Sequence, residues 1–115
     1  MKEGDIILTP IPQADGTVKN RPALILREMP GFRDYLVCGI STQLHRRVDG
    51  FDEMVSPEDD DFATSGLRNE SLIRLGFLAI LPRKSIAGSI GSISNERLNR
   101  LRNRLGSHLS EPLAI

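Results

Sequence analysis

The chain has no tryptophan, one tyrosine and four phenylalanines among its 115 residues, with one cysteine and two histidines. Each scarcity excludes something. A single cysteine cannot form an internal disulfide. Cys38 lies in the apolar run Tyr35-Leu36-Val37-Cys38-Gly39-Ile40, which reads as a buried small hydrophobe in a reducing cytosol. His45 and His108 have no partner at zinc-ligand spacing. The acidic run Glu58-Asp59-Asp60-Asp61 lacks the alternating ligands and glycine of a calcium loop, so it reads as a solvated loop. No metal and no cofactor is expected. No stretch approaches the roughly 20 apolar residues of a membrane span. Met1-Lys2-Glu3-Gly4-Asp5 lacks the apolar core of a signal peptide. The expectation is a cytoplasmic protein with no membrane contact. Nor is there a G-x-S-x-G elbow, or a glycine-rich phosphate loop ending in Lys-Ser/Thr.

An excess of either charge is missing too. Fifteen Lys/Arg balance fifteen Asp/Glu, so bulk charge does not announce nucleic acid. The charges are segregated, however. Residues 49–61 hold seven acids and no base, whereas residues 62–115 hold eight Lys/Arg and three acids. A neutral total can hide a basic face, and the local field steers a polyanion.

What is present is a series of short apolar runs at single-domain length, residues 1–115. Residues 5–10 read as a first strand, and residues 11–20 as a loop with proline and Asp-Gly turn signals. Residues 22–27 form a continuous apolar strand, broken by Met29-Pro30-Gly31. Residues 35–40 form a third strand, paired with the second as a hairpin. A short strand is expected around residues 52–55. A longer one spans residues 71–81, bent or interrupted at Gly76. A last short strand is anchored by Ile86, Ile90 and Ile93. Ser94 then caps a helix with Glu96 in its first turn. Leu98, Leu101, Leu105 and Leu109 recur on one face, and Arg97, Arg100 and Arg104 on another. The sum is mainly β: a small, strongly curved barrel with a C-terminal amphipathic helix over its opening.

Arginine and hydroxyl chemistry remains. Pro22 fixes its own φ and biases Arg21 toward an extended backbone, partly presetting its guanidinium. That planar fork binds phosphate and stays charged. Ser41 and Thr42 end the neighbouring strand, where a hydroxyl can reach the same phosphate. Arg74 interrupts an apolar strand, where a charge is costly unless it faces a groove or a partner. The plainer readings are a surface arginine, a strand-end cap and a salt-bridging residue, respectively.

In order and spacing, several segments resemble the MazF/PemK toxins of toxin–antitoxin systems. They are Gly4-Asp5-Ile6-Ile7-Leu8, Arg21-Pro22-Ala23-Leu24-Ile25-Leu26, Ile40-Ser41-Thr42-Gln43, Gly66-Leu67 and Leu72-Ile73-Arg74-Leu75, followed by the Ser/Glu-started helix. The resemblance implies an SH3-like barrel of the CcdB/MazF type, a homodimer, and a metal-independent endoribonuclease that cuts single-stranded RNA. It implies an antitoxin whose acidic tail covers the basic groove. It assigns Arg21, Ser41 and Arg74 to the scissile phosphate. Asn20, Thr42, Gln43, His45, Arg46 and Arg47 would extend the substrate groove. The PemK branch has Arg-x-Asp where this chain has Gly76, and the first loop offers only Asp15 as a carboxylate. Asp15, a water and the Ser41 hydroxyl are the alternatives for the general base. Single strands suit this reading because splayed bases can be read. Few aromatics argue against strong base stacking. Two other readings keep the fold: a CcdB-like gyrase binder, and a non-catalytic RNA- or protein-binding barrel.

Overall fold

A computed structural model describes residues 1–12 and 14–114, with the backbone alone at Ile11 and Pro12. Six strands form one antiparallel sheet: β1 (Asp5–Pro12), β2 (Val18–Glu28), β3 (Tyr35–Ser41), β4 (Glu53–Val55), β5 (Ser71–Leu81) and β6 (Gly88–Ser92). Their order is β4-β5-β3-β2-β1-β6. A one-turn helix α1 (Phe62–Ser65) precedes β5, and α2 (Asn95–Leu109) ends the fold. The mainly-β class and the C-terminal helix are as expected. The one-turn helix is not foreshadowed.

The sheet curls because its ladders are irregular. Register shifts fall between Ile6 and Ile7, Ile25 and Arg27, and Cys38 and Gly39, and such bulges bend a strand and increase its twist. The result is a half-barrel. Its two ends meet through α1 and β6 rather than through a ladder. A Cβ on Gly91 would lie 2.2 Å from the Thr64 carbonyl oxygen, and one on Gly66 would lie 2.0 Å from that of Ile90. Only glycine permits so close an approach.

Alternation along β2 and β3 sorts side chains onto two faces. Leu24, Leu26, Cys38 and Ile40 join Ile73 and Leu75 of β5, and Leu98, Leu101 and Leu105 of α2, in the main core. Each such aliphatic burial contributes about 1.5–3 kcal/mol. Ile7, Ala23, Ile25, Tyr35 and Val37 form a smaller cluster apart from the helix. Burial pushes the Cys38 thiol up to about 12, so it stays a neutral hydrophobe. Ser94 caps α2 as anticipated, its Oγ accepting from the Arg97 N–H at 3.1 Å. Leu109 does not join the stripe. The last helical turn outruns the sheet and leaves it 71% exposed. Ile90 is also exposed, unlike Ile93.

Two expectations need correction. First, residues 11–20 are not one long loop. β1 and β2 continue pairing through Pro10↔Asn20, Ile11↔Lys19 and Pro12↔Val18, which leaves only a short turn. The prolines are tolerated because β6 pairs with β1 only as far as Leu8, so beyond it β1 is an edge. Second, residues 58–61 are not merely a solvated loop. Asp61 is buried, and it accepts from Arg97 Nε at 2.8 Å and Nη2 at 3.0 Å. Arg97, itself only 7% exposed, also donates to Glu53 at 2.9 Å and Asp59 at 3.0 Å. Arg100 and Arg104 reach the same Glu53 at 2.8 and 3.1 Å. A buried guanidinium must be ringed by carboxylates, because a lone charge there is expensive. The Arg97 hydrogen bond outweighs desolvation and holds the Asp61 carboxyl below its ordinary 3.8. Burial pulls Glu53 upward, but Arg100, with Arg97 and Arg104, overrides it and leaves the carboxyl below 4.5.

Candidate functional site

The pairing of β2 with β3 runs from Glu28↔Tyr35 to Ala23↔Gly39. Arg21 and Ser41 therefore stand just past the last pair, where the two strands part. Pro22 sits at the same limit, where its missing N–H costs no β3 bond. On the other side of β3, Gly39 pairs with Arg74 of β5. Three strands thus bring Arg21, Ser41 and Arg74 to one open pocket of about 460 Å³. This is the sheet side of the smaller core cluster, since Ala23 of β2 belongs to it.

The rim comes from three connections. Ala14 reaches in from the β1–β2 turn, and Thr42 and Gln43 follow β3. Leu67, Arg68 and Asn69 come from the segment between α1 and β5. Sequence reasoning missed Arg68 and Asn69. They arrive because Gly66 ends α1 in a left-handed conformation (φ 75°) and turns the chain. A helix-ending glycine followed by a polar run is the only local signal for them.

The site's chemistry is positive charge beside hydroxyl. Ser41 Oγ accepts from the Gln43 N–H at 3.0 Å, which holds the side chain in a local turn and leaves its own O–H as a donor. The Arg74 guanidinium lies 5.0 Å from the ring centre of Phe77, a cation–π contact. Arg68 and Arg74 form no ion pair among the described residues, and no Asp or Glu stands among the described residues lining the pocket.

Other expected site residues lie elsewhere. Asp15 is on the exposed turn, where its Oδ1 accepts from the Thr17 hydroxyl at 2.6 Å and the Thr17 N–H at 3.0 Å. Those bonds hold its carboxyl below the ordinary range and weaken it as a base. Asn20 is exposed on β2, outside the pocket lining. His45 and Arg46 sit on a single 3₁₀ turn, Leu44–Arg46, followed by Arg47, which pairs with Asp49 at 3.5 Å. All three stand beyond Thr42 and Gln43 and do not line the pocket. Among the described residues no group of three metal-ligating side chains is assembled, and no helix is long and apolar enough to cross a membrane.

The family comparison decides the kinship. Residues 2–109 match the family described as PemK-like, MazF-like toxin of type II toxin-antitoxin system. The chain belongs to this family. Among solved structures it is similar to Mycobacterium tuberculosis toxin MazF-mt6, with a TM-score of 0.63 and 24% identity. That match covers 95% of this chain and 99% of the other. At such identity the likeness speaks for the fold. No curated protein matches in sequence. Of the positions named from the motif resemblance in this PemK/MazF chain, Arg21, Ser41, Thr42, Gln43 and Arg74 line the pocket, and Asp15, Asn20, His45, Arg46 and Arg47 do not.

Proposed function

We propose that this protein is the toxin of a type II pair and an endoribonuclease that cuts single-stranded RNA by attack of a ribose 2′-hydroxyl on the adjacent phosphorus. One observation carries the reading: Arg21, Ser41 and Arg74 converge from three strands on a pocket with no carboxylate among its described lining residues. Such a surface favours a phosphodiester. Cleavage moves negative charge onto the phosphorane oxygens, and two guanidiniums beside them stabilise that charge more than the ground state. The Ser41 O–H donates to a non-bridging oxygen or to the leaving 5′-oxygen. Arg68 and Asn69 meet the next nucleotide along. Asn20, His45, Arg46 and Arg47 extend the track outside the pocket. Asp15 serves the hairpin turn, so proton removal from the 2′-hydroxyl falls to water, and turnover is slow.

Family membership supports an antitoxin partner, and an acidic segment is the chemistry that would cover this pocket. It also supports a homodimer and a cytoplasmic setting. The exposed apolar residues Leu78 and Ile80 of β5 suit a second copy. Light scattering measures that directly, and a monomer at working concentration would remove it. The missing carboxylate also favours a second reading, RNA binding without cleavage. Incubating long transcripts with the protein in EDTA separates the two. The nuclease reading expects cut RNA with 2′,3′-cyclic phosphate ends. Salt-sensitive binding with intact RNA would replace it by the binding reading.

A further inference from the structure

In a regular strand, residues three apart point to opposite faces and lie about 10 Å from each other. Arg74 and Phe77 should therefore never meet. They do because β5 is irregular at this point. Neighbours Cys38 and Gly39 of β3 pair with Leu78 and Arg74, so Leu75, Gly76 and Phe77 are extra residues on the β5 side. The bulge folds the Phe77 ring back beside Arg74, whose guanidinium carbon sits 5.0 Å from the ring centre. The ring has its own seat. A Cβ on Gly39 would stand 2.5 Å from Phe77 Cδ1, so the edge of the ring occupies the space that any other residue at position 39 would fill. Phe77 is otherwise 54% exposed, and it lines the pocket with Arg74 and Ser41. A large aromatic left half in water, against a bare backbone and under a cation, contributes little core. Its geometry serves the arginine.

We propose that Phe77, seated on Gly39 by the β5 bulge, is the positioning residue that holds the Arg74 guanidinium toward the pocket. This rests on reading the pocket as a phosphodiester-cleaving site, but its geometry can be measured without RNA. An arginine has four rotatable side-chain bonds, and an unheld guanidinium samples many directions. A ring under one face restricts them before substrate arrives, and such preorganisation acts on the chemical step rather than on binding.

Two measurements test it on the full chain. The first is proton NMR of the Arg74 side chain. Wild type should show its δ and ε protons shifted upfield by the ring current. Phe77→Leu should abolish the shift, Phe77→Tyr should restore it, and Gly39→Ala, which unseats the ring, should change it. The second is RNA cleavage at high enzyme concentration. Phe77→Leu should lower kcat about tenfold with KM within about twofold, and should cost nothing further in an Arg74→Ala background. Phe77→Tyr should recover most of the rate. Thermal melts of the three variants exclude unfolding as the cause. Arg74 signals unmoved by Phe77→Leu, or an equal rate loss in both backgrounds, would overturn the assignment. If wild type cuts no RNA, the nuclease reading fails by itself, and the NMR result alone decides the role of Phe77.

Discussion

Two sets of three arginines occupy this molecule, and they could hardly be treated more differently. Arg97, Arg100 and Arg104 on α2 each have Glu53 within 3.1 Å, and Arg97 adds Asp59 and Asp61. Arg21, Arg68 and Arg74 line a pocket whose described walls carry no Asp or Glu. The first set is internally neutralised and belongs to the packing of helix on sheet. The second lines an opening of about 460 Å³. The charge segregation along the chain resolves accordingly. Most of the carboxylates of residues 49–61 that are tied down answer the arginines of the last helix, and the basic groove is built by other arginines.

The contrast can be broken from either side. The largest expected effect is on the pocket: Arg74→Ala should reduce RNA cleavage by about 100-fold or more, as loss of a group that stabilises transition-state charge does. A partly exposed site of this kind should change stability by no more than about 0.5 kcal/mol. Normal cleavage by that variant would end the comparison. Next comes the helix. Arg97→Ala leaves Asp61 buried beside a lost partner and should cost about 3–5 kcal/mol, with a melting temperature lower by roughly 10 °C or more. A melt unchanged within about 1 °C would show that the network is ornamental.

Smaller is the effect of acid. Asp61 and Glu53 have folded-state pKa values held below their ordinary 3.8 and 4.5. The stability they contribute is therefore full above the unfolded values and is lost as pH falls below about 4 through the folded ones. Melting temperature should drop there, and Asp61→Asn should flatten the drop. An acid profile identical in that variant would count against the assignment. The smallest effect is at the hairpin tip. Asp15→Asn should leave the cleavage rate within about twofold, since that carboxylate is engaged by Thr17 and lies off the pocket wall. A loss of two orders of magnitude would make Asp15 the missing base.

Legibility in the sequence followed locality. The stripe Leu98, Leu101, Leu105 and the Ser94 cap could be read because a helix writes its face at a fixed spacing. The strand at residues 71–81 and its disturbance at Gly76 could be read because glycine inside an apolar run marks a bulge. Arg21, Ser41 and Arg74 were each open to a plainer reading on local chemistry, and the order and spacing of the segments that carry them tied the three together. What stayed hidden depends on distant partners. Nothing near Asp61 says that an arginine 36 residues later will bury it. Arg68 and Asn69 enter the pocket through the path of the chain after α1, which no periodicity encodes. The length of the β1–β2 arm was masked by its prolines, because their penalty vanishes on an edge that only the full topology defines.

The contact between Gly66 and Ile90 has a consequence beyond closing the sheet. Gly66 is also the residue from which the pocket rim Leu67, Arg68 and Asn69 departs. One pair of atoms thus sets both how the barrel shuts and where the rim stands. A single added methyl at position 66 would loosen the clasp and shift the rim together. The molecule cannot drift in one without registering the change in the other.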